Sequence, residues 1–154
     1  MSFIWSKGPF INNYSKLITE TVCINHNVIK NMIKTFDGNV LWIRNGSKQD
    51  PSSISDLELV SKYLDLLTKS TILLTTDGDK LVPSGYKEEI VNKILNCNKI
   101  VKWFTQNYDL TIVHPKLKHF PIGFDLHSER MLVNNNYLDK LKFMLDTRLK
   151  FNNL

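Results

Sequence analysis

The chain has 154 residues, the usual size of one domain, and its 42% hydrophobic and 23% charged residues match average globular usage, which excludes a disordered or fibrous protein. The net charge of +5 comes from basic residues that are mostly single, scattered lysines. A dedicated nucleic-acid face clusters Arg and Lys, so this distribution disfavours nucleic acid as a partner.

Five short apolar or β-branched runs, each bounded by turn residues, are predicted strands. They occupy residues 21–24, 39–44, 71–76, 101–105 and 119–122. Helical patterns separate the first four strands, at residues 27–36, 54–67 and 86–96, and a last amphipathic helix is predicted at about 137–151.

Two of these helices carry predicted start signals. For the second helix we expect either Asp50 with Pro51, or a capping box of Ser53 and Asp56. Ser84 is the predicted cap of the third helix.

The alternation of strands and helices predicts an α/β fold, because parallel neighbouring strands need crossover helices. We expect a Rossmann-like, mostly parallel sheet with helices on both faces. No linker, repeat or low-complexity tract divides residues 1–154, so we expect a single domain.

The chain shows no targeting signal. Its start, MSFIWSKGPF, lacks the features of a signal peptide, and no apolar run approaches the roughly 20 residues that span a bilayer. Cys23 and Cys97 have neither metal nor redox spacing and are expected to be free thiols. We therefore expect no membrane partner and a cytoplasmic location, or the host cytoplasm or virion for a viral protein.

Polar residues follow the predicted strands. Ligands of open parallel sheets bind beyond the carboxyl ends of the strands, so we expect these residues to converge. After the last four strands they are Asn45 and Gly46, then Asp77, Gly78 and Asp79, then Gln106 and Asn107, then Gly123, Asp125 and His127.

Each signal also has a plainer interpretation. Asp77, Gly78 and Asp79 form good turn chemistry, although two carboxylates after a strand also suit a divalent metal that holds a nucleotide sugar. His114, His119 and His127 lack metal-ligand spacing, which favours ordinary hydrogen-bonding histidines and no metal site. The absence of GxSxG, P-loop and GxGxxG motifs removes the commonest hydrolase, NTPase and dinucleotide interpretations.

The order of these motifs resembles exostosin-like glycosyltransferases and their relatives in large DNA viruses and protists. In that family a TGDxD-like turn is followed by a WFxQN strand, an HPK and a PIG-D-H loop. The resemblance covers roughly residues 71–128. The matching positions are Thr76, Asp77, Asp79, Pro83, Trp103, Phe104, Gln106, Asn107, His114, Pro115, Lys116, Pro121, Ile122, Gly123, Asp125 and His127.

This resemblance implies the N-terminal half of a two-domain GT-B glycosyltransferase that binds a sugar or nucleotide sugar. It further implies a shortened form that is inactive alone, or one that works with a C-terminal domain or a protein partner. A divalent metal is the less favoured cofactor.

In an active form, acid–base and charge-balancing chemistry gives candidate roles to individual residues. Asp125 is the candidate base and His127 its catalytic companion, while Lys116 balances phosphate charge on the leaving group. The other candidate substrate-binding residues are Asp77, Asp79, Gln106, Asn107, His114 and Gly123.

Two alternatives stay open. The first is a non-enzymatic interaction module on the same sheet, in which the aromatic residues Phe3, Trp5 and Phe10 cover a sheet edge or a partner. The second is a weak, non-specific nucleic-acid binder drawn by the positive charge.

Overall fold

The structure, a computed structural model, describes residues 3–5, 8–10, 26–45 and 55–122. The predicted strand at 21–24, the predicted helix at 137–151 and the candidate residues Gly123, Asp125 and His127 lie outside these ranges. No helix within them is long and apolar enough to cross a membrane.

The described elements follow one another as a short hairpin and then an alternation of helices and strands. They are β1 (Phe3–Trp5), β2 (Gly8–Phe10), α1 (His26–Thr35), β3 (Val40–Arg44), α2 (Asp56–Ser61), a 3₁₀ turn (Leu64–Leu66), β4 (Thr71–Thr76), α3 (Glu88–Asn96), β5 (Ile100–Thr105) and β6 (Leu117–His119).

The centre of the fold is a four-stranded sheet with the order β3-β4-β5-β6, and every neighbouring pair is parallel. β1 and β2 pair separately as an antiparallel hairpin. The sheet with its helices confirms the predicted Rossmann-like α/β fold. The apolar runs of β3 and β4 form the two strands whose residues are mostly buried, as expected for parallel strands.

The three described helices share one face of the sheet. Their apolar residues form one buried cluster with Leu41, Leu73, Trp103 and Leu117, which lie side by side across the four strands. Strands that are added in one direction through right-handed crossovers place every connecting helix on the same face. On the opposite face the described ranges supply no helix, and the predicted helix at 137–151 falls outside them.

The opposite face carries Trp42, Leu74, Phe104 and Lys118 in register. Trp42 and Leu74 are only 5% and 4% exposed. The indole of Trp42 donates to Thr76 Oγ1 (2.5 Å), and on the helix-covered face the indole of Trp103 donates to Thr75 Oγ1 (2.9 Å). Adjacent threonines of β4 therefore satisfy one buried tryptophan on each face.

The predicted second helix at 54–67 was too long, and its predicted caps were wrong. Ser55 caps α2 instead: its hydroxyl accepts from the Glu58 amide, and Glu58 Oε2 accepts from the Ser55 amide. α2 ends at Ser61, and the chain tightens into the 3₁₀ turn, which still buries Leu64 in the core. Most of the apolar residues predicted for this helix are buried as expected, but they lie on or next to two short elements, α2 and the 3₁₀ turn.

Two other boundaries differ from prediction. α3 begins at Glu88 behind Lys87, which gives no side-chain cap, so Ser84 is not its cap. β6 spans Leu117–His119 and not 119–122. Leu117 faces the core next to Trp103, whereas Pro121 has no amide hydrogen to donate to a ladder.

Candidate functional site

The carboxyl ends of β3, β4 and β5 lie at one edge of the sheet. The Asn45 amide donates to the Thr76 carbonyl (2.6 Å), which joins the ends of β3 and β4. Beyond β4, residues 77–80 form a turn, here called the 77–80 turn. Asn107, just after β5, donates through Nδ2 to the Gly78 carbonyl of this turn. The predicted convergence of Asp77, Asp79, Gln106 and Asn107 is therefore observed as a placement in the fold.

Asp77 begins the 77–80 turn in the left-handed region, with φ of 58°. Aspartate tolerates this conformation better than most residues other than glycine and asparagine. Arg44, the last residue of β3, donates through Nε to the Asp77 carbonyl (3.2 Å) and lies 3.7 Å from its carboxylate Oδ2. A cation on a neighbouring strand thus holds both the backbone and the side chain of Asp77.

The carbonyl of Lys80, at the end of the turn, accepts hydrogen bonds from two amide side chains. Asn45 Nδ2 donates at 2.6 Å and Asn107 Nδ2 at 3.2 Å. The buried Tyr86 hydroxyl donates to Asn45 Oδ1 (2.5 Å), so both ends of the Asn45 carboxamide are occupied. Side chains from three segments therefore fix the path of this turn.

The Lys80 side chain ties the turn to the helices. Its ammonium lies 4.4 Å from the centre of the Tyr86 ring and 3.8 Å from Glu58 Oε1. Glu58 also closes the capping box of α2. The turn, the start of α2 and the approach to α3 are thereby held as one unit.

Asp79 differs from its neighbours in the turn. It is exposed, and its carboxylate has no hydrogen-bond or ion-pair partner in the described ranges. A carboxylate is an acceptor at both oxygens, so Asp79 offers an acceptor on an ordered stretch of backbone for the hydroxyl or amine of a ligand. Of the two candidate carboxylates of this turn, that of Asp79 is therefore the one accessible to a ligand.

Gln106 is almost fully buried and bonds to the backbone. Its Oε1 accepts from the Asp77 amide (3.4 Å), and its Nε2 donates to the Ile122 carbonyl (3.1 Å). Asn107 gives its amide hydrogens to Gly78 and Lys80. The side chains of Gln106 and Asn107, both predicted to bind substrate, thus hold the neighbouring loops in place.

Lys116 and His114 lie away from this edge. Lys116 precedes β6, its carbonyl accepts from the amide of Trp103, and its ammonium donates to the Cys97 carbonyl (2.8 Å), ahead of β5. His114 Nδ1 accepts from the Lys116 amide (3.2 Å). These two candidate residues are therefore at the amino end of the strands, not with Asp79.

A second ordered loop, residues 108–112, follows β5 at the same edge and was missed by sequence reasoning. The Asp109 carboxylate accepts from the Ser84 amide and from the amide and hydroxyl of Thr111. Burial disfavours its ionised form, but these hydrogen bonds outweigh burial and lower the pKa of Asp109. The D-x-T spacing is a side-chain turn signal that could have revealed this loop.

Arg44, Lys80 and Tyr86 were also missed as parts of this edge. Their signal in the sequence is weak, because each looks like an ordinary surface or strand-end residue until its long-range partners are known. Within the described ranges, no three His, Cys, Asp or Glu side chains come together as a metal-binding group. Comparison with family models, curated proteins and solved structures finds no match to this chain.

Proposed function

We propose that this chain is a glycosyltransferase-like domain that binds a sugar or a nucleotide sugar at the carboxyl edge of its sheet. The observation that carries the proposal is the 77–80 turn. Its backbone is held by Arg44, Asn45 and Asn107, while the Asp79 carboxylate is exposed and without a partner in the described ranges.

An exposed acceptor on a turn whose backbone is held suits a hydroxyl-rich ligand. Sugar hydroxyls need donors and acceptors in set directions, and a turn that is already ordered loses little entropy on binding. Asp79 is therefore the proposed contact, whereas Gln106 and Asn107 support the turn. Asp125 remains the proposed base, with His127 and Gly123 beside it in sequence.

The proposal favours binding without a metal bridge between the two aspartates. Asp77 already faces Arg44, with 3.7 Å between Nε and Oδ2. A divalent cation at this carboxylate would lie close to the guanidinium, whose positive charge opposes it. The proposed ligand is therefore a sugar or a nucleotide sugar bound without this metal bridge, and turnover is proposed to need a C-terminal domain or a protein partner.

The test is a titration of the chain with UDP-glucose, UDP-N-acetylglucosamine and GDP-mannose, followed by calorimetry or amide NMR shifts. Asp79→Asn should weaken binding roughly tenfold, because a charge-assisted hydrogen bond is worth about 1.5 kcal/mol. Asp65→Asn is the matched control, since Asp65 is also exposed but lies on the 3₁₀ turn.

Both variants should keep the melting temperature of the wild type. Millimolar concentrations of all three probes without a calorimetric or NMR response would rule out the proposal. If Asp79→Asn and the wild type bind the probe with equal affinity, the ligand does not bind at the 77–80 turn.

A second candidate is the non-enzymatic interaction module. It is favoured by two exposed aliphatic side chains, Leu110 in the 108–112 loop and Val113 directly after it, which are 67% and 86% exposed. Sedimentation of the wild type and of Leu110→Ser with Val113→Ser tests self-association through them. Concentration-dependent assembly that the double variant abolishes would support this candidate, and a monomer at all concentrations would count against it.

A further inference from the structure

One side chain touches the exits of two strands that are not neighbours. Gln106 follows β5, and it is only 7% exposed. Its carboxamide oxygen accepts from Asp77, directly after β4, and its nitrogen donates to Ile122, a few residues after β6. β5 lies between these two strands.

We propose that Gln106 is a positioning residue that couples the 77–80 turn to the chain leaving β6, so that a displacement of one is transmitted to the other. The functional meaning of this coupling rests on the proposed function, because Asp79 belongs to the turn and the candidate residues Asp125 and His127 follow Ile122 in the sequence.

The physical basis is the shape and burial of the carboxamide. It is planar, with its acceptor and donor on one rigid unit, so a movement of this unit with Asp77 changes its distance from Ile122. Both hydrogen bonds are made by a side chain that is largely shielded from water, so the loss of either one is poorly compensated by solvent. The Gln106 backbone is anchored as well, since its amide donates to the Thr75 carbonyl (3.3 Å).

Asn107 provides the internal contrast. It holds the same turn through Gly78 and Lys80, but its side-chain hydrogen bonds reach no residue beyond β6 in the described ranges. A role limited to stabilising the turn would belong equally to Asn107 and Gln106. Backbone hydrogen bonds also join the strand ends through Thr75 and Thr105, but the side-chain link between the turn and Ile122 is made by Gln106.

The experiment uses NMR of the full chain without any ligand. Asp77→Gly perturbs the turn, and the readout is the carbonyl carbon resonance of Ile122. We expect Asp77→Gly to shift this resonance in the wild-type background and in an Asn107→Ala background. In a Gln106→Met background, which keeps the length but makes no hydrogen bonds, the shift should be lost.

Gln106→Glu separates the two halves of the contact, because it keeps the acceptor for Asp77 and removes the donor to Ile122. It should also lose the transmitted shift, and it replaces Gln106→Met if that variant does not fold. An equal Ile122 shift with and without the Gln106 carboxamide would overturn the coupling.

Failure of the coupling and failure of the proposed function give different results. The ligand-free measurement needs no sugar, so coupling with no response to UDP-glucose would remove only the proposed ligand. Binding of UDP-glucose with no dependence of the Ile122 shift on Gln106 would remove only the coupling.

Discussion

The 77–80 turn and the 108–112 loop lie at the same sheet edge, and each holds one non-glycine residue in the left-handed region: Asp77 with φ of 58° and Leu110 with φ of 63°. They are stabilised differently. Distant side chains fix the 77–80 turn, whereas the 108–112 loop is closed largely by its own residues, through Asp109 to Thr111 and Tyr108 Oη to the Ile112 carbonyl (2.8 Å).

The difference shows where a loop conformation is encoded. The 108–112 loop is specified largely by its own sequence, with Val82 and Ser84 as its contacts to the segment before α3. The 77–80 turn is specified by residues that come together only when three strands have paired. Its conformation is therefore a property of the assembled sheet, and substitutions far away in sequence should alter it.

The largest expected effect is that of Asn45→Ala. This substitution removes the acceptor of the buried Tyr86 hydroxyl and one of the two amide donors to the Lys80 carbonyl, so the free energy of unfolding should fall by about 2–4 kcal/mol. Urea unfolding measures it. Asn92→Ala, at an exposed position of α3, is the control and should change stability by less than about 0.5 kcal/mol. Equal losses of stability in the two variants would show that the buried contacts of Asn45 stabilise the protein no more than an exposed asparagine does.

Glycine at the two left-handed positions gives an intermediate effect. Leu110→Gly should stabilise the protein by up to about 1 kcal/mol, because it relieves backbone strain and removes a side chain that is 67% exposed. Asp77→Gly relieves the same strain but loses the contact with Arg44, so its net effect should be near zero. Thermal unfolding of both variants compares them, and stabilisation by Asp77→Gly alone would reverse the expected order.

The smallest effect concerns pH. The pKa of Asp109 is lowered in the folded state, so the ionised carboxylate contributes stability at neutral pH that is lost as the pH falls through the folded pKa. Asp109→Asn should therefore be less stable than the wild type at neutral pH, and the gap should narrow toward about pH 3. Urea midpoints at both pH values check this, and a gap that widens in acid would contradict it.

The parts of the fold that depend on local sequence patterns were predictable. The apolar runs at 71–76 and 101–105 predicted β4 and β5 almost to the residue, and their alternation with helices predicted the parallel sheet. The break after Ser61 was not predictable, because Leu64 and Leu67 keep helical spacing although the chain has tightened.

The site was predictable in place but not in detail. The rule of strand carboxyl ends brought Asp77 and Asn107 together correctly. Lys116 was included in the same crevice through the family resemblance and not through this rule, and the structure places it at the amino end, because β6 begins directly after this lysine. Residue spacing also could not show that the side-chain amides of Gln106 and Asn107 bond to backbone groups of other loops. Those bonds depend on the register of the neighbouring strands.

The paired tryptophans of the sheet give this protein two optical probes. Trp42 and Trp103 lie on opposite faces and donate to neighbouring threonines of the same strand, β4. Their emission spectra report different environments, one from each side of a single strand. In a background with Trp5, the third tryptophan of the chain, replaced by phenylalanine, Trp42→Phe and Trp103→Phe each leave one indole, and fluorescence during unfolding would reveal whether the two faces lose their packing together or in sequence.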